Sequence, residues 1–340
     1  MTTDKVYIIL VNWNGWKDTI ECLESVFRNH YQSYQVIVCD NASENDSLDK
    51  IKQWAEGSIQ ANCHDSRSVS QYTNPPIEKP IKYVEYDRRQ AEQGGGQADS
   101  EFKLILIQTG ANLGFAGGNN VGIRYALARD DSEYLWLLNN DTVIAPDALI
   151  HLMTKAKEQP NTGICGSTLL FYYQPGVVQA FGGAKYNTWL GLTRSIGAFC
   201  QWPYTRQIDN NLDFISGASM LVPKSFVKEI GLMSENYFLY YEEIDWATRA
   251  KGRYILAHAP NSIVYHKEGA STGGDSTNIK RRTFLSDYYG LCNKILFTKK
   301  FYPYKLWSIY LSLILSIINR IQRKQWDRVV MILKIIVKNS

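Results

Sequence analysis

The chain has 340 residues, 45% of them hydrophobic and 21% charged, with a formal net charge of +4. Those values are ordinary for a globular protein and leave room for one large α/β domain plus an appendage. Six cysteines, at positions 22, 39, 63, 165, 200 and 292, are scattered with no C-x-x-C, which excludes a disulfide framework and a zinc site and leaves small buried hydrophobes.

Residues 6–11 (VYIILV) form a continuous apolar run, as expected of a central parallel strand. The run is too short, and residues 1–5 too polar, for a secretory leader, so a reducing, cytoplasmic setting is expected. The strand ends in Asn12-Trp13-Asn14-Gly15. Asn14 is a candidate N-cap for a helix with Ile20, Leu23, Val26 and Phe27 at helical spacing. A second strand at 34–39 ends in Asp40-Asn41-Ala42-Ser43, completing a βαβ unit with a right-handed crossover. Segment 57–101 is polar, contains Pro75-Pro76 and Gly94-Gly95-Gly96, and shows little periodicity. It reads as a surface insertion with a short edge strand at 81–86, and its removal should cost little. A third strand at 103–108 leads into Asn112-Leu-Gly-Phe-Ala-Gly-Gly-Asn-Asn-Val-Gly122 and a helix to about 128.

The fourth strand, 134–138, is bulky and apolar and delivers Asn139-Asn140-Asp141-Thr142 to the sheet edge, after which Pro146 opens a helical pattern. Four strands ending in Asn/Asp/Gly clusters at one edge define a doubly wound, nucleotide-binding α/β layout. A lone Asp there suits a hard cation that already carries phosphate oxygens, although turns favour the same residue types. Strands follow at 163–171 and 177–181, then a Gly/aromatic stretch at 182–204. A strand at 214–222 is interrupted by Gly217, the kind of glycine that marks a close backbone approach to a ligand. Next come Tyr237-Phe-Leu-Tyr-Tyr-Glu-Glu-Ile-Asp-Trp246, a helix to 251, and strands at 254–258 and 263–266. Asp245 and Arg249 stand at i,i+4, the spacing of a helix-surface ion pair.

The tail, 276–340, carries 13 Lys+Arg and 2 Asp+Glu, leaving 24 and 31 in the remainder: a basic tail on an acidic body. Within it, 304–321 is strongly apolar but has a polar stripe of Ser308, Ser312, Ser316 and Asn319. It falls short of the ~20 apolar residues of a membrane span. An in-plane interfacial helix with basic flanks fits; so does a helix packed on the domain or on a second copy in a homodimer.

Taken together, Val11-Asn-Trp-Asn-Gly15, Asp40-Asn-Ala-Ser43, the 112–120 stretch, Asn139-Asn-Asp141 and Glu242-Glu-Ile-Asp-Trp246 followed by His266 resemble glycosyltransferase family 2, of the GT-A fold. The resemblance covers roughly 4–270, so the expected organisation is a GT-A domain over 1–275 and a basic helical tail over 276–340. This version of the motifs is most similar to the rhamnosyltransferase-like branch, which builds cell-surface polysaccharide. The resemblance implies an inverting transferase that moves a sugar, L-rhamnose from dTDP-rhamnose or a hexose from a UDP donor, to a glycan or lipid-linked glycan. It implies Mg2+ or Mn2+ held by Asp141 and His266. Asn139 stands where the family's metal motif has its first Asp, which removes one charge from the ion's surroundings. Donor contacts are implied at Val11, Trp13, Asn41, Asn112, Gly117, Asn119, Asn139, Asn140 and Gly217. Val11 and Trp13 match positions flanking the base, and Asn41 matches one that bonds its pyrimidine edge. Glu243 matches the catalytic base, one methylene longer than the usual Asp, with Glu242 as the alternate. The aromatic run before them should raise the carboxyl toward working pH. The glycines at 114, 117, 118 and 122 do not make the G-x-G-x-x-G of a dehydrogenase, and the first strand lacks the lysine-bearing glycine loop of a nucleotidyltransferase. A catalytically inactive sugar-nucleotide scaffold is the non-enzyme rival. Nucleic acid is not an expected partner. The inner face of the cell membrane is the expected location.

Overall fold

The computed structural model describes residues 4–61, 67–96, 101–205, 208, 211–267 and 283–339. In chain order the first half runs β1 (Val6–Asn12), α1 (Trp16–Val26), β2 (Tyr34–Asp40), α2 (Ser47–Glu56), α3 (Arg67–Ser70), β3 (Tyr83–Asp87), α4 (Arg88–Glu92), β4 (Leu104–Gln108), α5 (Gly114–Arg129), β5 (Tyr134–Leu138), β6 (Thr142–Ile144) and α6 (Ala148–Lys157). The second half adds β7 (Thr162–Phe171), β8 (Gln174–Phe181), β9 (Gly183–Asn187), β10 (Leu192–Ser195), β11 (Phe214–Ile215), β12 (Ser219–Pro223), α7 (Lys224–Ile230), α8 (Glu242–Ala250) and β13 (Ile255–His266).

The main sheet has the order β3-β4-β2-β1-β5-β12-β7-β13-β6, with β8 added on β7. Strands β3, β4, β2, β1 and β5 are parallel, as expected of βα units; β12 joins β5 antiparallel. The apolar runs are continuous because both faces are covered. Alternate residues sort into two cores. Val6, Ile8, Leu10, Val36, Val38 and Trp136 pack against α1, α2 and α6. Tyr7, Ile9, Ile37, Cys39, Leu135 and Leu137 pack against α5, α7 and α8.

Five expectations are corrected. The 112–122 stretch is not a glycine loop: α5 starts at Gly114 and holds Gly117, Gly118 and Gly122 within it. A Cβ on Gly118 would lie 2.8 Å from Val11 Cγ1, and one on Gly122 2.7 Å from Ile9 Cγ2. These glycines let the helix sit close on the sheet. The helix after β1 is capped at Gly15, not Asn14; Asn14 adopts φ +55° and its Oδ1 accepts from the Glu44 N–H at 2.8 Å. A short strand, β6, separates Asp141 from the helix that Pro146 was expected to open. The strands at 254–258 and 263–266 are one irregular strand, β13.

The fifth correction concerns segment 57–101, of which residues 62–66 and 97–100 lie outside the described residues. The short edge strand is present as β3, paired parallel to β4. The segment is also tied into the core. Glu24 on α1, only 1% exposed, accepts from Trp54 Nε1 at 2.8 Å, Ile77 N at 2.9 Å and Lys79 Nζ at 3.1 Å. Deleting 57–101 would take β3 off the sheet and strip a buried carboxylate of two donors, a costly state. The sequence missed this because Glu24 looks like a solvated helix residue.

The tail forms three helices, α9 (Phe284–Phe301), α10 (Leu306–Gln322), the one expected at 304–321, and α11 (Trp326–Asn339). They share a small core of Ile295, Ile309, Leu313, Ile332 and Ile335. No helix among the described residues is long and apolar enough to cross a membrane. Cys22, Cys39 and Cys165 are buried, as expected of small hydrophobes.

Candidate active site

The strand ends are joined by a buried polar chain. Thr19 Oγ1 donates to Asn12 Oδ1 at 2.9 Å and accepts from Asn140 Nδ2 at 2.9 Å. Asn12 Nδ2 donates to Asp40 Oδ1 at 2.6 Å, and Asp40 also accepts from Ser43 Oγ at 2.7 Å and Ser43 N at 3.0 Å. Asn140, expected to touch the donor, is 5% exposed, and its Nδ2 bond to Thr19 ties the end of β5 to α1. The chain Asn12–Thr19–Asp40–Ser43 was visible in the sequence only as turn-forming residue types.

Asn41 is likewise used inside the protein. Its Nδ2 donates to Asn112 Oδ1 and Gly114 O, both at 3.1 Å. Its Oδ1 accepts from Leu113 N at 3.1 Å and Thr109 Oγ1 at 3.2 Å. All four bonding positions of the amide are filled. Asn41 therefore shapes the turn that opens α5 instead of offering a free edge to a pyrimidine. Val11 lies beside it, against Gly118, and Trp13 and Asn112 stand at the open end of the sheet. Asn119 turns back on its own helix, donating to Phe115 O at 2.9 Å, and Gly117 packs on Leu113.

At the end of β5 the expected pair does come together. His266 Nε2 lies 3.2 Å from Asp141 Oδ1. On its other side His266 Nδ1 is 2.9 Å from Gln179 Oε1, which places the hydrogen on Nδ1 and leaves Nε2 facing the carboxylate. The Asp141 Oδ1 contact is not aligned as a hydrogen bond, and this buried oxygen has no other hydrogen-bond partner. Two acceptors this close call for a cation between them, a proton or a metal ion. Asn139 Nδ2 is 3.4 Å from the same imidazole nitrogen. Burial alone would raise the Asp141 carboxyl; His266, then Lys267, outweigh it and hold it below the ordinary carboxylate range. A hard divalent ion fits a carboxylate oxygen that has no donor of its own beside an imidazole held in one tautomer.

The second cluster is at the start of α8. A Cβ on Gly217 would collide with Glu243 Oε1, so only glycine permits this approach. The Glu243 carboxylate takes hydrogen bonds from the backbone N–H groups of Gly217 and of Glu243 itself. Desolvation outweighs those bonds and pushes the Glu243 carboxyl up to about 7. Glu242 differs: it is 1% exposed and its Oε2 has no hydrogen-bond partner. Burial, then the neighbouring Glu243 charge, pushes its carboxyl well above the ordinary range. Asp245 is buried and accepts from Arg249 Nε at 2.7 Å, the i,i+4 ion pair its spacing suggested. Gly217 thus contacts the carboxylate beside it, while the next residue, Ala218, accepts from Asn139 N at 3.1 Å. One backbone step and this hydrogen bond link Gly217 to Asn139, two residues before Asp141.

A doubly wound sheet with a carboxylate–imidazole pair and a perturbed carboxylate beside one edge defines the GT-A class of nucleotide-diphospho-sugar transferases. Residues 7–67 and 89–228 match Glycosyl transferase family 2, and the chain belongs to that family. A low-salt glycan biosynthesis hexosyltransferase of Haloferax volcanii is 32% identical over 148 residues, 44% of this chain and 46% of that protein, so the match spans less than half of the relative's length. An N-acetylglucosaminyl-diphospho-decaprenol L-rhamnosyltransferase of Mycobacterium tuberculosis is 26% identical over 240 residues, 64% of this chain and 76% of that protein. Among solved structures, a mannosyltransferase from Pyrobaculum calidifontis, in complex with GDP-Man and Mn2+, superposes with a TM-score of 0.53 at 12% identity, covering 100% of this chain and 88% of that one. This last likeness concerns the fold.

Proposed function

We propose that the chain is an inverting glycosyltransferase that moves L-rhamnose from dTDP-rhamnose to a hydroxyl of a glycan, carried on a lipid, in cell-surface polysaccharide synthesis. The observation that carries the chemistry is the Glu243 carboxyl, raised to about 7 and held against Gly217. A base with that affinity for protons can take one from an acceptor hydroxyl near neutral pH. One base and one displacement give inversion at the anomeric carbon. Asp141 and His266 would hold Mg2+ or Mn2+, and the bound ion would offset the charge of the departing diphosphate. Rhamnose is favoured by the mycobacterial relative's named activity; the archaeal relative, a hexosyltransferase, makes a hexose donor the second reading.

The same reading sets the enzyme on the cytoplasmic face of the membrane. Helices α10 and α11 turn Leu311, Ile314, Leu315, Leu333 and Val337 outward, all of them exposed. Arg323, Lys324, Lys334 and Lys338 lie on the same helical hairpin. An apolar face with cations beside it suits a surface rich in anionic lipid. The test of the donor is a thermal-shift screen of dTDP-rhamnose, UDP-hexoses and GDP-mannose with and without Mn2+. A metal-dependent rise in melting temperature largest for dTDP-rhamnose supports the reading; a larger rise with a UDP-hexose replaces it.

A further inference from the structure

The loop that leads into the two carboxylates, 237–241, has an unusual backbone. Phe238, Tyr240 and Tyr241 sit at φ +62°, +68° and +78°, a region L-residues with side chains disfavour. Such a run persists only where the surroundings hold it, and here the holder is a helix of the tail. Asn293 on α9 is 4% exposed, and its Nδ2 donates to Tyr237 O at 2.7 Å, Leu239 O at 2.8 Å and Tyr240 O at 3.1 Å. Three carbonyls of one five-residue loop converge on one amide nitrogen. Tyr289 stacks on Phe238, with ring centroids 4.9 Å apart. Lys300 Nζ reaches Asp245 Oδ2 at 2.5 Å, one turn into α8. Residues 289, 293 and 300 recur at helical spacing, so one face of α9 is given over to the loop and the start of α8. The opposite side of the loop is pinned at the nucleotide end of the sheet, where Phe238 O accepts from Phe115 N at 2.8 Å. Loop, α8 and α9 all lie beyond the residues matched by the family, which end at 228.

From this arrangement we infer that Asn293 is a positioning residue for the catalytic carboxylate: by clamping the 237–241 backbone it fixes the first turn of α8 and sets Glu243 against Gly217. The inference rests on the reading of Glu243 as the base. It makes α9 part of the active site, and not only a support for the apolar hairpin beyond it.

The test follows the Glu243 carboxyl directly, without a substrate. Protein labelled with 13C at the glutamate carboxyl is titrated by NMR, and the Glu243 resonance is assigned by its loss in Glu243→Gln. The groups that face it are Glu242 on its own helix and the backbone N–H of Gly217. Wild type is expected to titrate near 7. In Asn293→Ala the first turn of α8 loosens, water reaches the carboxyl, and the midpoint is expected to fall by a unit or more toward the ordinary ~4.3 of glutamate. A midpoint unchanged in folded Asn293→Ala overturns the inference, whatever the change in melting temperature. Should that variant not fold, Tyr289→Leu, which removes only the ring stacked on Phe238, is read the same way, with a smaller downward shift expected and an unchanged midpoint again contradictory. If no glutamate of the wild type titrates near 7, the base assignment itself fails, which is a separate outcome.

Discussion

The backbone N–H of Asn139 donates to the carbonyl of Ala218 at 3.1 Å, and this single bond ties the Asp141 edge to the residue beside Gly217. It joins the end of β5, which leads to Asp141, to the residue that follows Gly217 and precedes β12. Gly217 is the sensitive point. Its φ lies outside the left-handed region, so alanine would meet no backbone strain there; the added methyl would instead displace the Glu243 carboxylate. Gly217→Ala is expected to melt within a few degrees of wild type and to lose about 10²-fold in turnover, the cost of misplacing a reacting group by about 1 Å. Turnover within threefold of wild type would show that Glu243 does not act from this position.

The Asp141–His266 pair makes a second expectation. Asp141→Ala removes the oxygen that has no donor of its own and leaves His266 without its carboxylate neighbour. Calorimetry with dTDP should then show tight binding in Mn2+ for wild type and a loss of at least tenfold for the variant, with the two proteins alike in EDTA. Equal Mn2+ dependence in both would place the ion elsewhere.

Much of this was readable from residue order. The apolar runs 6–11, 34–39 and 134–138 are parallel strands because buried strands need no alternation, and their Asn/Asp endings mark the ligand edge. The family resemblance singled out Asp141, His266, Glu242 and Glu243, and Asp141 and His266 do lie 3.2 Å apart. The sequence could not tell which amides face a ligand. Asn41 and Asn140 have the residue type of donor contacts, yet each bonds a partner distant in sequence, Asn112 and Thr19. Tertiary hydrogen bonding of that kind leaves no periodic trace. In the tail, the helix expected at 304–321 is present as α10, but the role of α9, whose Asn293 and Lys300 hold the loop before α8 and the start of α8, had no periodic signal to announce it.

The exposed face of α10 gives a third expectation. Leu311→Glu with Leu315→Glu changes two outward side chains, so the fold should be retained. Co-sedimentation with vesicles containing phosphatidylglycerol is expected to drop at least tenfold, because each lost apolar side chain and each added negative charge weakens interfacial binding. Unchanged sedimentation, together with a dimer that dissociates in the variant, would assign the face to a second copy of the chain.

The central claim is that Glu243, and not its neighbour Glu242, is the base. A carboxyl raised to about 7 from 4.5 holds a proton in the folded state that the unfolded chain has lost. Stability therefore falls as pH rises between those values, and Glu243→Gln should melt a few degrees above wild type at pH 8 but not at pH 4.5. Turnover should run the opposite way, rising through pH 7 as the carboxylate forms. The most direct measurement is the pH–rate profile of sugar transfer for wild type, Glu243→Gln and Glu242→Gln, with the donor that the thermal screen selects. The expected result is an acid limb near 7 in wild type, a loss of roughly 10² to 10⁴ in turnover for Glu243→Gln, and near-wild-type turnover for Glu242→Gln. Full activity in Glu243→Gln, or a loss confined to Glu242→Gln, would contradict it.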